Sequence, residues 1–183
     1  MLAGMPWDGL FEDLEAQWEA QERRELDAEV ADRTRRERAL VDLVSRLVAA
    51  TGEEITVRLL AGPPVHGRVE EVGDGWLLLS AGRRAILLVL DAVVAIEGLA
   101  RSADPATRAR RFGVGYALRG ISRDRAVVVV RDRAGGSSTG TIDVVGADHV
   151  ELSVHPADEV RREANVLFRR TIPVSALVSV TSG

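Results

Sequence analysis

Residues 55–67 read ITVRLLAGPPVHG, and residues 128–140 read VVVRDRAGGSSTG. A shift of 73 positions sets Val57 over Val130, Arg58 over Arg131, Gly62 over Gly135 and Gly67 over Gly140, with apolar residues matched between them. The match continues, HGRVEEVGDGWLLLS (66–80) lying over TGTIDVVGADHVELS (139–153). The shift then becomes 84, which sets LVLDAVVAI (88–96) over IPVSALVSV (172–180). The eleven extra residues fall in HPADEVRREANVLFRR (155–170), where a loop tolerates insertion. The repeat requires one small unit to be folded twice. Units of roughly 60 residues bury too little surface to be comfortable alone, so two of them are expected to pack on each other or on further copies.

Inside each copy the apolar period is that of a strand. Ile55, Val57 and Leu59 alternate with polar residues, and AGPP (61–64), GDG (73–75) and AGRR (81–84) supply turns. Val65, Gly67, Val69 and Val72 mark a second strand, and WLLLS (76–80), AILLVL (85–90) and VAIEG (94–98) complete five short strands, with DAV (91–93) as a one-turn corner. Strands at 126–131, 139–145 and 149–154 restart the series after a short helix within 112–125. Five short strands behind an amphipathic helix fit a small, strongly bent barrel. Gly62 and Gly135 are read as turn positions needing positive φ, and Gly67 and Gly140 as points of strand bending. Upstream, Asp8 can cap a helix that runs, either unbroken or with one break, to Ala50 and stops at Gly52.

The pattern Val57-x-Leu59-x-x-Gly62-x-x-Val65-x-Gly67-x-Val69-x-x-Val72, followed by WLLL, resembles the first Sm motif of the Sm-like (LSm) family. ILLVLDAVVAIEG (86–98) is similar to the second. The resemblance covers 40–99 and 113–183. It implies a mainly β protein: two tandem Sm-like, SH3-type five-stranded bent barrels, each preceded by a helix, plus a long N-terminal α-helical arm. It also implies assembly, because the family pairs strand four of one module with strand five of the next and binds RNA on the resulting ring face. The family's RNA-contacting residues do not carry over. Gly73 and Gly146 stand where it has Asp, and Leu77 and Val150 stand where it has Asn. Glu97-Gly98 and Thr181-Ser182 replace its Arg-Gly pair. These departures argue against its uridine pocket.

The domain reading is therefore an acidic helical arm (1–39), a first barrel with its leading helix (40–99), an Arg-rich linker (100–112) and a second barrel (113–183) carrying the inserted hairpin 155–170. With no Cys, disulfides and thiolate metal sites are excluded. The N-terminus lacks a secretory pattern, and the longest apolar run (85–100) is too short for a bilayer. A cytoplasmic protein without a membrane partner is expected. All 24 basic residues are Arg, a usage that suggests GC-rich coding, and a bacterial source is expected.

Charge is uneven. Residues 1–22 hold six acidic and no basic side chains, whereas 101–133 hold nine Arg against three Asp. Arg101, Arg108, Arg110, Arg111, Arg119, Arg123 and Arg125 form the candidate nucleic-acid surface, since guanidinium groups contact phosphates in pairs and give salt-dependent affinity. Only Phe112 and Tyr116 offer nearby aromatic stacking. Trp7, Phe11, Leu14 and Trp18 form an apolar stripe on the acidic helix, the candidate protein-interaction surface. The G-x-S-x-G string at 136–140 falls in a strand hairpin by the repeat, so a hydrolase elbow is not expected. The absence of Lys excludes a P-loop. His66, His149 and His155 lack metal-ligand spacing and are read as surface or barrel-edge residues. No catalytic residue, metal, cofactor or small-molecule substrate is predicted. The expected function is a non-catalytic adaptor or assembly protein that meets itself, as a homo-oligomer, or another protein through its arm and barrel edges. The alternative is an RNA- or DNA-binding regulator using the Arg-rich segment.

Overall fold

Gly52 ends a short helix with a left-handed φ of 89°, and beyond it the chain changes from helical to strand period. The computed structural model describes residues 8–104, 109–159 and 161–182, without the side chains of 8–16, 20, 37, 38 and 110. The chain divides into two units, Met1–Asp42 and Leu43–Gly183. The first contains helix α1 (Asp8–Ala39), whose described side chains are almost all exposed. A helix so polar is supported by its own surface pairs, here Glu19–Arg23 at 3.6 Å and Asp32–Arg36 at 2.9 Å.

The second unit begins with α2 (Leu43–Ala49) and is mainly β. Its first five strands are β1 (Glu54–Leu59), β2 (Val65–Gly73), β3 (Trp76–Ala81), β4 (Arg84–Val89) and β5 (Val93–Glu97). Helix α3 (Val114–Arg123) precedes β6 (Val128–Asp132), β7 (Ser137–Val145), β8 (His149–Val154), β9 (Phe168–Pro173) and β10 (Leu177–Ser182). All ten form one antiparallel sheet in the order β5-β1-β2-β3-β4-β10-β6-β7-β8-β9. Each half repeats the order fifth, first, second, third, fourth. A 3₁₀ turn precedes the fifth strand in both, Leu90–Ala92 and Val174–Ala176.

Matched glycines do matched work. Gly62 and Gly135 take φ of 92° and 84° in the turns after the first strands. Gly67 and Gly140 allow close backbone approach of the neighbouring strand: a Cβ on Gly67 would lie 2.5 Å from the Ser80 carbonyl oxygen, and one on Gly140 would run into that of Ser153. The aromatic ring of Trp76 covers Gly73, and the His149 imidazole covers Gly146 in the same way. Trp76 is buried and donates through Nε1 to the Phe112 carbonyl at 2.7 Å, whereas His149 is half-buried and pairs with Asp148 at 2.9 Å.

GSSTG begins β7, and its turn is closed by Asp132, whose Oδ1 accepts from the Ala134 and Gly136 amides, each at 2.9 Å. One expectation fails. His155 is not at the surface but 2% exposed, because its backbone continues the β7–β8 pairing, its amide donating to the Thr139 carbonyl, and its ring is hydrogen-bonded within the fold. Its Nδ1 donates to the Pro156 carbonyl (2.8 Å), so its Nε2 accepts from the Thr141 hydroxyl (2.9 Å). His66, by contrast, is exposed. Among the described residues no helix is long and apolar enough to cross a membrane.

Candidate interaction surfaces

β4 is the strand on which the two halves meet. It pairs with β3 on one edge and with β10 on the other, Leu88 opposite Ser179, Leu87 opposite Val180 and Ile86 opposite Thr181. Successive side chains of a strand point to opposite faces. Ile86 and Leu88 therefore enter the first core with Leu47, Val57 and Leu79, while Leu87 and Val89 enter the second with Leu118, Val130, Leu152 and Val180. The unbroken apolar run AILLVL is explained by this double burial. Trp76 also belongs to the second core, where it joins residues from α3, β6 and β8.

This seam uses one fourth strand and one fifth strand, which leaves the other two at the ends of the sheet. β5 and β9 each pair on one side only among the described residues. The 84-residue offset carries the β4–β10 register onto them, placing Ala95 opposite Ile172, Ile96 opposite Thr171 and Glu97 opposite Arg170. The edges are more polar than the seam: Thr171 and Pro173 occupy the positions of Leu87 and Val89. Charge and a proline protect an exposed strand edge from indiscriminate pairing.

The Arg-rich segment is partly in place. Arg108 lies outside the described residues, and so does the Arg110 side chain. Arg101, Arg111, Arg119, Arg123 and Arg125 are exposed. Arg119 and Arg123 stand one turn apart on α3, and the Phe112 and Tyr116 rings touch beside them with centroids 4.5 Å apart. Arg125, with a φ of 49°, reaches Asp143 at 3.8 Å. The linker is held at both ends: Arg46 donates to the Leu99 and Ala100 carbonyls, and Ala109 is buried. Of the proposed helix stripe, Trp7 lies outside the described residues, as do the Phe11 and Leu14 side chains. Trp18 is 77% exposed.

A duplicated polar pair was missed by reading the sequence. Ser80 donates to Glu70 and, 73 positions on, Ser153 donates to Asp143, both at 2.5 Å. The conserved offset was its only signal, and a carboxylate ten residues before a serine is too common to notice. In the second half the inserted hairpin adds Arg161, whose Nη2 donates to Asp143 Oδ2 at 2.7 Å while its Nε lies 2.6 Å from Oδ1. Burial raises the Asp143 carboxyl, but the Arg161 and Ser153 hydrogen bonds and the charges of Arg161 and Arg125 outweigh it and hold the group below its ordinary value.

No family model matches this chain, and no curated protein matches it either.

Proposed function

We propose that this protein is a non-catalytic, cytoplasmic adaptor built from two Sm-like barrels, which assembles with further copies of itself through its free strand edges and meets partners through its N-terminal helical arm. The observation that carries this reading is the β4–β10 seam. It is a worked example of fourth-to-fifth-strand pairing, and the same two edges stand open as β9 and β5. The register brings Glu97 beside Arg170, so head-to-tail pairing gains opposite charges across one rung. In the resting chain Arg170 donates to Ser138 at 2.6 Å and lies over the Phe168 ring, which holds it near the edge.

Charge reversal tests this directly. Multi-angle light scattering of the full chain is expected to give a mass above one protomer that falls in Glu97→Arg and in Arg170→Glu. The double variant should recover it. A monomer at every concentration, or a double variant no better than the singles, would sink edge assembly.

A second reading, a nucleic-acid-binding regulator, is favoured by the Phe112–Tyr116 contact beside Arg111 and Arg119, since stacking platforms flanked by cations suit single strands. Binding of single-stranded RNA that weakens in Arg119→Ala and steeply with salt would support it; salt-insensitive binding, or none, would remove it.

A further inference from the structure

We propose that the groove along the β4–β10 seam binds the phosphate group of a small organic phosphate. This site is independent of the assembly edges.

Strand register places Arg84 and Ile86 of β4, Ser179 and Thr181 of β10, and Val129 and Arg131 of β6 on one face of the sheet. Two adjoining hollows of about 270 and 420 Å³ open on that face, and Arg84, Arg131 and Thr181 line both. The β1–β2 turn forms a stiff wall through Pro63 and Pro64. Arg131 is seated against that turn: a Cβ on Gly62 would lie 2.8 Å from Arg131 Nε. The glycine therefore makes room for the guanidinium as well as the turn.

The repeat shows why this cation lacks a counterion. In the first half Arg58 faces Glu97 at 3.9 Å. Arg131 is the counterpart of Arg58, and the counterpart of Glu97 is Thr181. The second half has the same cation but a hydroxyl where the first half has the carboxylate. Among the described residues, neither the Arg84 nor the Arg131 side chain has an ion-pair or hydrogen-bond partner, and no described Asp or Glu lines either hollow. Arg161 and Arg169, by contrast, are each matched to a carboxylate. Two unmatched guanidinium groups beside the Thr181 hydroxyl suit a doubly charged oxyanion with several acceptor oxygens, whereas a carboxylate brings a single negative charge to the two cations. The apolar walls, Val65 and Ile86 in one hollow and Val127 and Val129 in the other, give an organic substituent a place to lie.

Calorimetric titration of the full chain at low ionic strength, with phenyl phosphate, inorganic phosphate and benzoate as probes, tests the site. Phenyl phosphate is expected to bind saturably and more tightly than either other probe. Affinity should fall about tenfold or more in Arg84→Gln and in Arg131→Gln, since each removes charge-assisted hydrogen bonds. Thr181→Glu, which restores the missing carboxylate, should abolish binding. Arg83→Gln, an exposed neighbour outside both hollows, should bind within about twofold of the parent. No saturable binding, equal affinity for benzoate, or an equal loss in Arg83→Gln overturns the proposal. Should Thr181→Glu or Arg131→Gln fail to fold, the exposed Arg84→Gln change still decides it.

Discussion

The two halves of the sheet share strand order, turn glycines and a serine–carboxylate pair, yet they spend the third-to-fourth-strand connection differently. In the first half Ala81 to Arg84 make a bare turn around Gly82, with φ of 65°. In the second, the connection from β8 to β9 begins at the buried His155 and places Arg161 on Asp143. The comparison separates scaffold from elaboration. What recurs builds the sheet, and what differs sets the charge and burial of a surface. The Glu70–Ser80 pair stays exposed and unembellished, while its counterpart has become an anchored ionic cluster.

The largest expected effect lies where the halves meet. Leu87→Ala and Leu88→Ala should each cost about 2–5 kcal/mol, because each empties a different filled core. Chemical denaturation should show one transition for both; a variant that melted only one half would break the picture of a shared strand. Next come the matched glycines. Gly140→Ala and Gly67→Ala should each cost about 1–3 kcal/mol by forcing two backbones apart, with the loss greater at 140, where the added carbon meets the facing carbonyl more closely. Equal losses in thermal melts would contradict that ordering. The ionic clusters should differ by pH. Asp143 has a depressed folded value, so its stabilisation is present above the ordinary 3.8 and lost as pH falls through the folded one. Asp143→Asn should therefore narrow the stability gap between neutral and acid pH, measured by melts across that window. Glu70→Gln, the exposed counterpart, should change stability by no more than about 0.5 kcal/mol at any pH.

How much of this was legible beforehand follows from the kind of signal each feature leaves. The strands, the turns at Gly62 and Gly135 and the insertion follow from period and punctuation, which local chemistry writes into the chain. AILLVL could be read as a buried strand, but not as one divided between two cores, because that depends on which strand lies beyond it. His155 misled because an isolated histidine beside a proline looks like a loop residue, and its burial against Thr141 follows only from the strand pairing. The Arg84–Arg131 groove was invisible for the same reason: its members lie 47 positions apart in sequence and meet only through β10. Edge charges such as Glu97 and Arg170 were visible as residues but acquired meaning only once the register was known.

The divided strand also sets an order of events during synthesis. β4 is made long before its partner, since Leu88 must wait for Ser179. Through that interval Leu87 and Val89 have only Trp76 and Leu78 of their core beside them, and an early-formed first half carries an open, apolar strand. Such a chain is slow to finish and exposed to wrong partners, the nearest being the β10 of another copy. Dilute, unhurried refolding should favour the intramolecular seam, and crowded refolding an exchanged dimer in which each β4 is closed by its neighbour's last strand.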